Sequence, residues 1–156
     1  MSKHQELLEG FRQFASTAAN TAALMKHISQ RLHDDLTRYN WVGFYLLDQD
    51  DPGVLVVGPY VGSFSPIERI PINKGLCGAA ATMRQTVLVN DVAADPRYLS
   101  GFAMVKANMV VPIFAGKEFV AELDVESYFT NTFTRAEQTF AEDIAALVGK
   151  YMEKKR

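Results

Sequence analysis

The stretch "NMVVPIFAGKEFVAELDVES", residues 108–127, decides the fold. Two runs rich in Val, Ile and Phe flank Gly116-Lys117, a pair suited to the tight turn between antiparallel strands. Alternation in the second run sends Glu122, Asp124 and Glu126 to one face and Leu123 and Val125 to the other. A solvated strand face is the ordinary home for three alternating acids. If that face lines a pocket instead, the acids are placed to bind an ammonium group or to hold a proton near a substrate oxygen.

Upstream of this hairpin the same chemistry recurs. "WVGFYLLD" (41–48) and "GVLVVGPYVG" (53–62) are β-branched and aromatic and flank "QDDPG", whose Asp, Pro and Gly favour a turn. "IERIPI" (67–72) predicts a third short strand, followed by a turn at Asn73 to Gly75 and a small-residue helix from about Leu76 to Met83. "TVLVNDV" (86–92) predicts another short strand. From Ala93 to Asn108 there is no clean period, and Pro96, Gly101, Tyr98, Phe102 and Met104 suggest a loop with one or two helical turns.

Helices close both ends. Leu7, Leu8, Phe11 and Phe14 recur at helical spacing, as do Leu24, Met25, Ile28, Leu32 and Leu36, with a break at "STAAN" (16–20). Near the C-terminus Thr134 and Glu137 predict a capping box and Phe133 a staple, ahead of the stripe Phe140, Ile144, Leu147, Val148 and Tyr151. Lys150, Lys154, Lys155 and Arg156 gather at the negative end of that helix. The expected architecture is α+β: a mostly antiparallel sheet with the N- and C-terminal helices on one face and a ligand pocket under the small helix and long loop on the other.

At 156 residues, 48% apolar and 22% charged, the chain suits one domain, residues 1–156, with a single core. A net charge of -2 gives no electrostatic footprint for nucleic acid. No apolar run reaches membrane-spanning length and "MSKHQELLEG" lacks a signal-peptide core, so a cytoplasmic protein is expected. The one cysteine, Cys77, excludes an internal disulfide and fits a reducing compartment.

Cys77 falls at the first turn of the small helix, where free amides and the helix dipole stabilise a thiolate. Against that, Gly78, Ala79, Ala80 and Ala81 point to close packing that admits only a small side chain. The packing role is preferred, because no second cysteine is present to resolve an oxidised sulfur. Trp41 and Tyr45 share a strand face with Gly43, either as core or as the apolar wall of a small pocket. Arg97 and Lys106 are the cations expected nearest that pocket, with a solvated loop surface as their default role. His4, His27 and His33 do not form a metal site, and no cofactor is expected.

Together "YNWVGFYLL", "VGPYVG", "RIPINKGLCGAAA", "NDV", "VVPI", "ELDVES" and "FTRAEQ" resemble the GAF domains of the free methionine-(R)-sulfoxide reductase family, from about Thr17 to the end. The resemblance implies a six-stranded antiparallel sheet between terminal helices and a homodimer. It also implies a chemistry in which a cysteine thiolate attacks the sulfoxide sulfur, releases methionine and leaves a sulfenic acid. A second cysteine resolves that acid for a thioredoxin-like reductant. It assigns Trp41 and Tyr45 to the aromatic wall and Asp124 to substrate binding. Glu126 stands where the family has an Asp, and Cys77 matches the cysteine normally used as a disulfide partner.

The departures fall on the chemistry. Gly101, in "Tyr-Leu-Ser-Gly-Phe", stands where the resemblance expects the attacking cysteine, Ile67 falls on another family cysteine, and Asn108 replaces a pocket glutamate. The expectation is therefore a binding module that recognises a small molecule, such as an amino acid or a sulfoxide, through Trp41, Tyr45, Asn108, Asp124 and Glu126, in a signalling setting and without turnover. The alternative is a divergent reductase in which Cys77 attacks and an external thiol clears the sulfenic acid. A purely structural dimerisation unit would leave Trp41, Tyr45 and Asp124 without a pocket role.

Overall fold

A computed structural model describes residues 1–99 and 102–155. Its elements run α1 (Lys3–Thr17), α2 (Thr21–Asp35), β1 (Trp41–Leu47), β2 (Val54–Gly62), β3 (Arg69–Pro71), α3 (Gly75–Met83), β4 (Val87–Val89), β5 (Ala107–Ala115), β6 (Glu118–Ser127) and α4 (Arg135–Lys154). The irregular segment begins with a single 3-10 turn at Val92–Ala94.

Among the described residues the strands form one six-stranded sheet in the order β3-β2-β1-β6-β5-β4, each neighbouring pair antiparallel. This is the α+β arrangement the patterning predicts, with the six strands that the resemblance to GAF domains implies. The β5-β6 hairpin turns at Gly116, whose φ of 63° suits glycine better than any side-chain-bearing residue. In the register, Asp124 lies beside Gly43 of β1 and Val110 of β5, with Glu122 beside Tyr45 and Pro112.

The two faces of the sheet carry separate apolar clusters. On one, Leu7, Phe11, Leu24, Ile28, Phe140, Ile144 and Val148 from α1, α2 and α4 meet Phe44, Met109, Ile113, Leu123 and Val125. On the other, Leu76, Cys77, Ala80 and Ala81 of α3 meet Trp41, Tyr45, Leu55, Ile70 and Val110. The period-2 alternation of β6 thus sends Leu123 and Val125 to the helical face and the acids to the face under α3.

Cap chemistry differs in detail from the sequence expectation. Thr134 Oγ1 accepts from the Glu137 amide at 3.3 Å, so half of the predicted capping box forms. The Glu137 carboxylate does not turn back. It accepts from the Tyr39 hydroxyl and lies 3.4 Å from His4 Nε2. The complete capping box is at the other end of the chain, where Ser2 Oγ accepts from Gln5 N and Gln5 Oε1 accepts from Ser2 N.

Helix α4 approaches β5 at Gly149, where a Cβ would lie 2.2 Å from the Phe114 carbonyl oxygen. The clash is with backbone, so no side-chain rotation relieves it. Gly149→Ala is expected to destabilise the fold by about 1–3 kcal/mol, the usual range for overpacking. Urea denaturation of the two proteins checks this, and equal midpoints would refute the packing argument.

Candidate functional site

The face under α3 holds a concavity lined by Tyr45, Phe64, Ile67, Leu76, Cys77, Tyr98, Asn108, Asp124 and Glu126. Its cavity volume is about 40 Å³, well below the roughly 300–1,000 Å³ usual for small-molecule sites, so a ligand larger than a water molecule enters only if the residues over the hollow move apart. Four other hollows of the surface are larger, and none of them is lined by a buried acid. A groove of about 850 Å³ between α4 and the β5 edge is shallow. Several of its polar groups already have partners, with Thr86 bonded to Glu142 at 2.5 Å and Arg84 to the Lys117 carbonyl at 2.7 Å. A second groove, of about 540 Å³, lies between α1 and α4 and holds no cluster of buried acids.

Strand β6 supplies the acids, buried rather than solvated. Glu122 and Asp124 are enclosed, and Glu126 is half-buried. The reason lies outside β6: α3 and the segment from Phe64 to Ile70 cover that face of the sheet. Asn108 of β5 is buried beside them. Its Nδ2 donates to Asp124 Oδ1 at 2.6 Å and to the Val125 carbonyl at 3.0 Å. The Asn108 amide thus serves Asp124 as a fixed donor.

Burial pushes the Asp124 carboxyl up, while hydrogen bonds from Glu126 and Asn108 pull it back, leaving it at about 6. Burial also raises Glu126 well above the usual carboxylate range, and the Asp124 charge beside it adds to the rise. Two carboxyls this close share protons, with Asp124 the first to ionise. The pair thus presents a carboxylate at Asp124 beside a carboxyl that holds its proton more firmly, a suitable seat for a small cation or a cluster of N–H donors.

Tyr45 is fixed at the side of the pocket, its hydroxyl donating to the Ile67 carbonyl at 2.8 Å. Burial, and then the Asp124 charge, hold its proton firmly. Ile67 is an apolar lining residue. Trp41 differs from the sequence expectation. It is fully buried, its Nε1 donates to the Phe64 carbonyl at 3.3 Å, and it is not among the residues lining the hollow. A Cβ at Gly43 or Gly62 would lie 2.7 Å or 2.3 Å from the indole, so these glycines let the ring lie flat on the sheet. Phe64 stacks on it at 5.7 Å and forms the wall itself, and Phe102 stacks on Phe64 at 4.7 Å.

Cys77 is 7% exposed and lines the pocket from the first turn of α3. Burial raises its thiol well above the ordinary range, followed by the charges of Asp124, Glu122 and Glu126. The thiolate expected from the helix end is therefore opposed by the acidic floor, and the packing reading fits this environment. Gly101 lies outside the described residues. Arg97 does not line the pocket, since both its Nε and its Nη2 bond Asp95, at 3.0 and 2.7 Å. Lys106 is exposed and absent from the lining as well. No group of three or more His, Cys, Asp or Glu among the described residues is arranged to hold a metal ion.

Sequence reasoning noted Glu122 but did not count it among the site residues, and it missed Phe64 altogether. The alternation that put Glu122 beside Asp124 was the signal for the first. For Phe64, set in "GSFSPI" between strands, the sequence carried none.

Comparisons with known proteins agree with this fold. The model of the GAF domain matches residues 20–152. The free methionine-R-sulfoxide reductase of Escherichia coli is 31% identical over 94% of this chain and 82% of its own length. Among solved structures, the free methionine-R-sulfoxide reductase of Neisseria meningitidis, in complex with its substrate, superposes with a TM-score of 0.91 at 25% identity, covering 97% of this chain and 90% of that one. The reduced enzyme of Staphylococcus aureus gives 0.89 at 30% identity, covering 97% and 96%.

Proposed function

We propose, for a chain that belongs to the GAF domain family and is homologous to free methionine-R-sulfoxide reductases, that the pocket binds a small molecule bearing an ammonium group and does not turn it over. The observation that carries this reading is the buried Asp124 and Glu126 pair, oriented by Asn108 at the floor of an aromatic hollow. Burying such acids is unfavourable unless something offsets it, and a cation seated on them does so. Tyr45, Phe64 and Ile67 supply the apolar side for the rest of the ligand, with Trp41 behind Phe64. Asn108 in place of a carboxylate suits a ligand with less positive charge than one held by three acids. A homodimer, a cytoplasmic location and a signalling setting belong to the same proposal and rest on the resemblance.

The competing reading is a reductase that uses Cys77, and the activity of the E. coli and S. aureus relatives favours it. It requires Cys77 to attack as a thiolate, and the acids around the sulfur oppose that form. It also requires a reductant from outside the chain, such as a thioredoxin-like protein, because the sequence holds one cysteine.

Trp41 is the one tryptophan, so its fluorescence reports on the pocket through Phe64. Titration with L-methionine-R-sulfoxide is expected to change the emission saturably, and Cys77→Ser is expected to bind as the natural chain does. A flat titration with this sulfoxide, with L-methionine and with other amino acids would sink the reading.

A further inference from the structure

The hollow over the acids is too small for a ligand as it stands, so part of its cover must open. Besides α3, two segments lie over it. One, residues 95–99, braces itself. Asp95 N donates to the Val92 carbonyl and Tyr98 N to the Asp95 carbonyl, both at 3.2 Å. The Asp95 carboxylate also accepts from Arg97 N at 2.9 Å and from the Arg97 guanidinium at 2.7 Å. The other, residues 64–67, has no such ties. Among the described residues it makes no backbone–backbone hydrogen bond, and Pro66 has no N–H to give. Yet Phe64, Pro66 and Ile67 all line the hollow.

What holds this second cover down comes from the strand beneath it. Tyr45 Oη donates to the Ile67 carbonyl at 2.8 Å, and Trp41 Nε1 donates to the Phe64 carbonyl at 3.3 Å, with the Phe64 ring stacked on the indole. Both donors stand on β1, which is paired with β2 on one side and β6 on the other. The ends of the segment are anchored separately. Ser63 Oγ lies 2.6 Å from the Tyr128 hydroxyl, and beyond Ile67 the Glu68 carbonyl accepts from Val57 N at 2.9 Å. Four residues between fixed ends, pinned by two side-chain hydrogen bonds, can open while the sheet stays intact.

We propose, on the reading of the hollow as a binding site given above, that residues 64–67 are its door and the Tyr45 hydroxyl the latch. Releasing the latch frees the Ile67 carbonyl to water and lifts Ile67 and Pro66 away from Asp124 and Glu126. The same movement takes Phe64 off the face of Trp41. Residues 95–99 stay in place as the fixed part of the cover.

The test uses no ligand, so its failure is separate from that of the binding titration. Cys77 lines the same hollow, is 7% exposed and is the one cysteine, so intact mass after methyl methanethiosulfonate measures how often the pocket opens. The Cys77 thiolate attacks the sulfenyl sulfur of the reagent, forming a methyl disulfide and releasing methanesulfinate. Tyr45→Phe keeps the ring and removes the latch. It is expected to raise the labelling rate by about three- to tenfold, the factor that one lost hydrogen bond of ordinary strength gives. The factor should be the same at each pH tested, which separates opening from a change in the thiol proton. Acrylamide quenching of Trp41 should rise in the same variant, and low urea should leave the labelling rate unchanged.

Equal labelling of Tyr45→Phe and the natural chain would overturn the proposal. So would a rate that climbs steeply with low urea, the mark of entry through global unfolding. A rise in Arg97→Ala with none in Tyr45→Phe would also overturn it and put the opening at residues 95–99. Should Tyr45→Phe not fold, Phe64→Leu, which releases the stack on Trp41 from a half-buried position, is read on the same terms.

Discussion

Asp124→Asn is expected to lower the affinity for L-methionine-R-sulfoxide by about 30- to 1,000-fold in a calorimetric titration at pH 7.5. Removing one partner of a buried, hydrogen-bonded charge pair costs about 2–4 kcal/mol of binding, with each 1.4 kcal/mol worth about tenfold. Asparagine keeps the size of the side chain and removes the charge, so the fold is expected to be at least as stable. That separates lost binding from lost structure. A pH dependence follows from the same group. Because burial sets the Asp124 carboxyl at about 6, affinity for an ammonium ligand is expected to rise as pH climbs through that value. Affinity that is flat across the range, or undiminished in Asp124→Asn, would move the ammonium seat away from β6.

The second large effect is on stability. Glu122→Met is expected to raise the free energy of unfolding at pH 7.5 by roughly 1–4 kcal/mol, because a buried acid without a regular hydrogen bond is exchanged for an apolar side chain of similar length. The natural chain should show the corresponding pH signature. Glu122, Asp124 and Glu126 all have carboxyls raised above their usual range by burial. The unfolded chain releases these protons at about pH 4, earlier than the folded chain does. Between those points the folded state binds more protons, so stability falls as pH rises. The contribution is fully present below about pH 4, and the Asp124 part is gone above about 6. Glu122→Met should remove the Glu122 share of this fall. Urea denaturation at a series of pH values measures both, and a variant less stable than the natural chain at pH 7.5 would refute the account of Glu122.

The fold was legible because its strongest signals are local. The Gly116-Lys117 turn, the alternation of β6 and the stripe of α4 each need only a few neighbouring residues to be read. What lies over a strand face is decided by distant segments. The acids of β6 looked like a solvated face by default, and only the cover from α3 and from Phe64 to Ile70 makes them the floor of a pocket. For the same reason Trp41 is displaced from the wall: its place depends on Gly43, Gly62 and Phe64, which belong to two strands and a loop. Glu137 makes the point for caps, since Tyr39 and His4, far away in sequence, draw its carboxylate out of the capping box. Asn108 enters the sequence reading only through what the resemblance implies. Its use as a donor to Asp124 appears only once β5 and β6 are paired.

The most direct measurement follows the fate of the bound molecule. The chain is dialysed to equilibrium against isotope-labelled L-methionine-R-sulfoxide with excess dithiothreitol, and both pools are then separated by chromatography. The account predicts that the natural chain retains label, recovered as unchanged sulfoxide, and that Asp124→Asn retains none. Conversion to methionine that disappears in Cys77→Ser would contradict it and make the protein a one-cysteine reductase.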